Sequence, residues 1–93
     1  VCRGQRRASP NVPTAVRRRD PIPIVFGAVL REMRAASGLS QEELAELSGL
    51  HRTYISLLER GLRTPSLSVI HALARPLGAS MVILVSRVQA LLK

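Results

Sequence analysis

The sequence predicts an all-α fold, a compact five-helix domain behind an Arg-rich arm. Three observations carry this prediction. Apolar residues recur at helical spacing in successive segments from Val25 onward. Serines stand where helix N-caps are wanted, at Ser40, Ser66 and Ser80. Glycine and proline punctuate the chain between these segments.

The 93 residues make room for one domain. Residues 1–21 read as a flexible Arg-rich N-terminal arm, rich in Gly, Pro, Ser and Asn with arginine clusters at Arg6–Arg7 and Arg17–Arg19. Such an arm is either a solvated tail or a strand of charge that touches phosphates on binding. Pro21 and Pro23 should hold the backbone extended up to the first helix. Residues 22–93 form the folded domain, ending in a segment suited to dimerisation.

Within that domain, Phe26, Leu30 and Met33, with Val29 beside them, give the first helix its apolar stripe, and Ser37–Gly38 ends it. Ser40-Gln41-Glu42-Glu43 fits a capping box that opens a second helix. Leu44 and Leu47 should face inward there, and Gly49 occupies the position of a left-handed C′ residue. A third helix runs from about Arg52 to Arg60, with Ile55 and Leu58 inward, His51 at its N-cap and Leu50 stapled onto Ile55. Ser66 caps a fourth helix whose stripe is Leu67, Ile70, Leu73, Ala74 and Leu77, and Pro76 should end it near Arg75. In the last segment, Met81, Leu84, Val88 and Leu91 have helical spacing, which favours a helix over 80–92. The β-branched run Met81–Val85 also suits a strand.

Composition narrows the function classes. The formal net charge is +8, and 13 of the 14 basic residues are arginine, whose planar fork suits phosphate and guanine. This balance admits DNA, RNA or an anionic surface as partner. No apolar run approaches the roughly 20 residues that cross a bilayer, so no membrane partner is expected. No secretory signal pattern is seen, and Pro10 and Pro13 argue against an amphipathic presequence, which leaves the cytoplasm as the expected compartment. The single cysteine, Cys2, allows no intrachain disulfide. His51 and His71 have no paired acid or cysteine beside them, and no metal spacing or Gly-rich phosphate loop occurs, so no enzyme activity, cofactor or metal is expected.

The informative stretch is Ser40–Gly61. Two short helices joined by a tight turn containing Gly49 make a helix-turn-helix, whose second helix projects side chains into a major groove about 12 Å wide. Leu-Ser-Gln-Glu-Glu-Leu-Ala, the Gly turn, Arg-Thr-Tyr-Ile-Ser, Glu-Arg-Gly and Pro-Ser-Leu together resemble the Cro/cI-type (XRE-like) helix-turn-helix proteins, over Phe26 to about Leu84. The resemblance implies a lambda-repressor-like domain that binds double-stranded DNA. It implies that Gln41 grips a phosphate or a base edge, that Arg52 and Thr53 face base edges, and that Ser56 lies one turn on. Tyr54 packs partly on the domain with its hydroxyl near a phosphate, and Arg60, Arg63 and Thr64 match the backbone-contacting loop. It further implies an Arg34–Glu59 ion pair tying the first helix to the third. Two departures stand out: His51 where Ser or Thr usually caps, and an exposed Leu57 where many members carry a polar reader. The resulting expectation is a transcriptional regulator, a repressor acting as a homodimer on a pseudo-palindromic operator. Val82, Val85, Val88 and Leu92 would supply the dimer surface. The alternative is an antitoxin that binds its own operator and a toxin protein.

Overall fold

The computed structural model describes residues 20–92. The proposed arm, apart from Asp20 and Pro21, lies outside the described residues. Five helices follow one another: α1 (Ile22–Ala36), α2 (Gln41–Ser48), α3 (Arg52–Glu59), α4 (Leu67–Ala74) and α5 (Met81–Leu91). No strand occurs among the described residues, and the Met81–Val85 run is helical, opened by Ser80, whose hydroxyl accepts from the Ile83 amide at 3.3 Å. Leu84 and Val88 are buried on the inner face of that helix, which decides the conformation that the β-branched run left open.

The first helix starts three residues earlier than its apolar period. Pro21 is not extended but stands at the N-cap with φ −79° and ψ −10°, and Pro23 falls in the first turn. The first-turn amides have no intrahelical partner, so a proline there loses nothing and its preset φ suits the helix. The Asp20 carboxylate accepts from the Ile22 amide at 3.0 Å. The other starts follow the sequence. Ser40 accepts from the Glu43 amide at 3.0 Å while its own amide donates to Glu43 Oε1 at 2.8 Å, and Ser66 accepts from the Val69 amide at 3.2 Å. His51 makes no side-chain capping bond.

One core joins all five helices. Phe26, Val29 and Leu30 of α1 meet Leu44 and Ala45 of α2, Ile55 and Leu58 of α3, Ile70, Leu73 and Ala74 of α4, Leu77, and Leu84 and Val88 of α5. Helix α1 packs against α3 and α5, while α2 packs against α3 and α4. Leu50 packs against this cluster, as a staple should.

Several apolar positions differ from the sequence expectation. Leu47 is 61% exposed. The inner face of α2 is centred on Leu44–Ala45, and at 100° per residue Leu47 lies about a third of a turn from it. Leu67 is exposed at the open end of α4, on the right stripe but uncovered by a neighbour. Leu91 is also exposed, and Leu92 packs against the core in its place. Val88 and Leu92 therefore belong to the protomer's own core and leave the expected dimer surface.

Two helices approach closely at Gly27. A Cβ added there would sit 2.7 Å from the Glu59 carbonyl oxygen, and closer still to that of Leu58. Helix α1 thus lies backbone-to-backbone against the end of α3, with no room for a side chain between them.

Candidate nucleic-acid interface

The turn between α2 and α3 is set by Gly49, whose φ of +78° is left-handed. Its amide and that of Leu50 both donate to the Ala45 carbonyl, at 2.9 and 3.0 Å, which closes α2 and turns the chain within three residues into α3. Ala45 is buried where the two helices cross. This fixes the direction in which the start of α3 projects.

At that start, Arg52 and Thr53 are exposed. Neither makes a side-chain hydrogen bond within the described part of the domain, so both can meet a ligand. Tyr54 is half-buried against the core. Ser56 is half-buried one turn further on. Leu57 is half-buried as well, where the sequence predicts an exposed side chain. In that loop Arg60, Arg63 and Thr64 are exposed. Within this stretch, the exposed arginines thus fall at the start of α3 and just beyond its end. The outer face of α2 is acidic, with Glu42, Glu43 and Glu46 exposed.

The frame under these residues is a charged network. Glu59 is the one buried charged residue among the described residues, at 9% exposure. Arg34 donates from Nε to Glu59 Oε2 and from Nη2 to Glu59 Oε1 at 3.0 Å, a bidentate fork. Its remaining nitrogen, Nη1, donates to the Leu39 carbonyl at 2.8 Å. The hydrogen bond to Glu59 raises the Arg34 guanidinium above its usual value; partial burial opposes this, and the charge of Glu59 adds to it. Gln41, half-buried at the first position of α2, donates from Nε2 to Glu59 Oε1 at 2.9 Å. Glu59 therefore ties α1, α2 and α3 together at one point. The Arg34–Glu59 pair is implied by resemblance; the bond from Gln41 has no sequence signal, because no spacing rule links residues 18 positions apart.

Among the described residues, no group of three or more His, Cys, Asp or Glu side chains is placed to hold a metal ion. No described helix is long and apolar enough to cross a membrane.

A family profile described as a helix-turn-helix domain matches residues 25–84. Control protein C.SmaI from Serratia marcescens is 48% identical over 58 residues, covering 62% of this chain and 69% of that protein. The crystal structure of the restriction-modification controller protein C.AhdI from Aeromonas hydrophila superposes with a TM-score of 0.65 at 50% identity, covering 67% of this chain and 94% of that one. The clp gene regulator ClgR from Corynebacterium glutamicum gives a TM-score of 0.71 at 33% identity, covering 74% of this chain and 73% of its own. The profile spans the network, the Gly49 turn and the exposed start of α3, and the chain belongs to the helix-turn-helix domain family, of the XRE-like kind its sequence resembles.

Proposed function

We propose that this chain is a sequence-specific, double-stranded-DNA-binding transcriptional regulator that works as a homodimer on a pseudo-palindromic operator and represses by occlusion. The observation that carries the reading is the start of α3. Arg52 and Thr53 stand exposed, with no side-chain hydrogen bond among the described residues, on a helix whose direction is fixed by the Gly49 turn and by the Glu59 network. Arginine is the commonest reader of guanine O6 and N7, and threonine offers a hydroxyl or a methyl to a base edge. In this reading Arg60, Arg63 and Thr64 meet the phosphate backbone, joined by the Tyr54 hydroxyl, while Ser56 and the exposed part of Leu57 border the groove.

The similarity to two control proteins, of which one is named for restriction-modification, supports a regulator. A two-fold dimer places its recognition helices about 34 Å apart, one turn of DNA. Val82 and Val85 remain available for that interface, 71% and 46% exposed, with Ile83 beside them. The antitoxin alternative rests on the same exposed apolar positions, which serve a second copy equally well.

Selection of bound sequences from random duplex DNA tests the function: enrichment of an inverted repeat is expected, and binding indifferent to sequence would overturn it. Within the enriched site, Arg52→Ala should lower affinity and relax one base position by ~1–3 kcal/mol. An unchanged preference would remove Arg52 from the reading set.

The arm bears on affinity in another way. A Cβ at Gly61 would come within 3.0 Å of Ile24 Cα, so α1 begins beside the loop that carries Arg60 and Arg63. The start of α1, to which residues 1–19 are joined in sequence, therefore lies on the side proposed to face phosphate. Deleting residues 1–19 should flatten the dependence of log affinity on log salt by about 0.9 for each phosphate no longer neutralised, and leave the preferred sequence intact. An unchanged slope would show the arm to be a bystander.

A further inference from the structure

An open cleft between α2 and α4 serves neither the core nor the proposed DNA contacts. It is lined by Leu47 and Ser48 on one side and by His71, Ala72, Arg75 and Pro76 on the other. Leu47 is 61% exposed there, an apolar side chain that the fold leaves in water. His71 and Arg75 stand one turn apart at the end of α4, both exposed. Neither meets an acid within ion-pair distance among the described residues. The cleft thus sets an apolar wall against a rim that carries a permanent cation, Arg75, with an imidazole beside it. Its complement is an apolar side chain with a carboxylate next to it.

This chain presents that complement itself. Of its six acids, three fall within five residues of α2, at Glu42, Glu43 and Glu46, and all three are exposed. Glu43 is engaged in the capping box. Glu46 adjoins Leu47, lies outside the cleft that Leu47 lines, and has no ion-pair partner among the described residues. Acid, leucine and base therefore follow one another across a single patch. Two-fold symmetry asks for this order, since in an isologous contact residue i meets j of the other copy while j meets i. About an axis at Leu47 the leucines of two copies meet, and Glu46 of each reaches Arg75 of the other. We propose that the α2–α4 cleft is a two-fold interface between copies of this chain, separate from the α5 surface, and that the occupant of each cleft is the second copy's Leu47 flanked by its Glu46. The inference goes beyond the DNA-binding reading and does not depend on it. With a further surface at α5, copies can join into assemblies larger than two.

Cross-linking of the full chain, with Cys2→Ser to remove its own thiol, tests the axis directly. A residue on a two-fold axis lies opposite its own copy, and a disulfide needs Cα atoms within about 7 Å. Under mild oxidation Leu47→Cys should therefore cross-link to itself. Association raises the effective concentration of the partner thiol, so the rate should exceed that of Leu62→Cys, a control position 59% exposed, by at least ~10-fold. Adding Glu46→Arg should slow the Leu47→Cys cross-link by roughly 2- to 30-fold, because two exposed ion pairs are lost per contact. Adding Arg75→Glu to that variant re-forms the pairs with opposite sign and should restore the rate. All four positions are exposed, so each variant should fold, which circular dichroism checks. Equal cross-linking at positions 47 and 62, or charge reversals that leave the rate unmoved or unrestored, would overturn the proposal. Neither outcome touches the DNA-binding reading, which the selection of bound sequences tests by itself.

Discussion

Arg34→Ala should destabilise the domain by ~3–5 kcal/mol, because it leaves the Glu59 carboxylate buried without its cation. The same change strips the Leu39 carbonyl of its Nη1 donor. A domain of this size has a total stability on the order of 5–10 kcal/mol, so the variant sits near the edge of folding. At ~4–8 °C per kcal/mol, its melting temperature should fall by more than about 12 °C. The paired replacement Arg34→Met with Glu59→Leu removes both charges and keeps apolar bulk at the junction, and it should cost less than Arg34→Ala alone. Gln41 then loses its acceptor, but being half-buried it can turn to water. Urea and thermal unfolding of the two variants check the order; a double variant less stable than the single one would show that the pair contributes more than mutual neutralisation. The sign with pH is also set. The folded-state value of Arg34 is raised, so its contribution is complete below the unfolded value and is lost only as pH climbs through the folded one, in strong alkali. Melting curves taken from neutral to moderately alkaline pH should show no loss that traces to Arg34.

Gly27→Ala should be among the most damaging single-methyl changes in the chain. The added carbon would overlap two backbone carbonyls of α3, those of Leu58 and Glu59, and neither can rotate away. Overpacking of this kind costs ~1–3 kcal/mol even against side chains, and the rigid partner here places it at the upper end. Against that stands the ~0.5–1 kcal/mol that alanine gains over glycine inside a helix. The net expectation is a loss of roughly 2 kcal/mol, with Gly27→Val worse. Because Glu59 is one of the residues pushed, DNA affinity should fall along with stability. Thermal unfolding and DNA titration check both; a Gly27→Ala chain as stable as the parent would mean that α1 and α3 can part without cost.

The helices of this protein are written in its short-range chemistry. Ser40 with Glu43, Ser66, Ser80, Gly49 and Pro76 act on neighbours within four residues, and each places its boundary where the structure has it. What reads poorly depends on partners far along the chain. Leu47 and Leu67 are apolar and helical, yet only the packing of α2 and α4 on their neighbours leaves them in solvent. Val88 and Leu92 look surplus in the sequence because nothing there says that α5 lies against α1. Pro21 and Pro23 carry a two-sided signal, since proline disfavours a helix interior but suits its first turn. Gly27 gives no signal, because a glycine that admits a neighbouring backbone looks the same as one that merely weakens a helix. At the candidate interface, Arg52 and Thr53 stand exposed as expected, whereas the orientation of Gln41 depends on Glu59, a residue a whole helix away.

The packing of α1 against α5 has a consequence for how the chain acquires its structure. Of these five helices, the first to be synthesised is covered by the last. Until residues 84–92 are free, Phe26 and Val29 lack the partners that bury them. The capping box of Ser40 and Glu43 can pre-form α2 early and the Gly49 turn can set α3 beside it, but the core they leave open is sealed only when α5 meets α1. The recognition unit is therefore ready in shape before it is fixed in place, and final rigidity arrives with the C-terminal turn of α5.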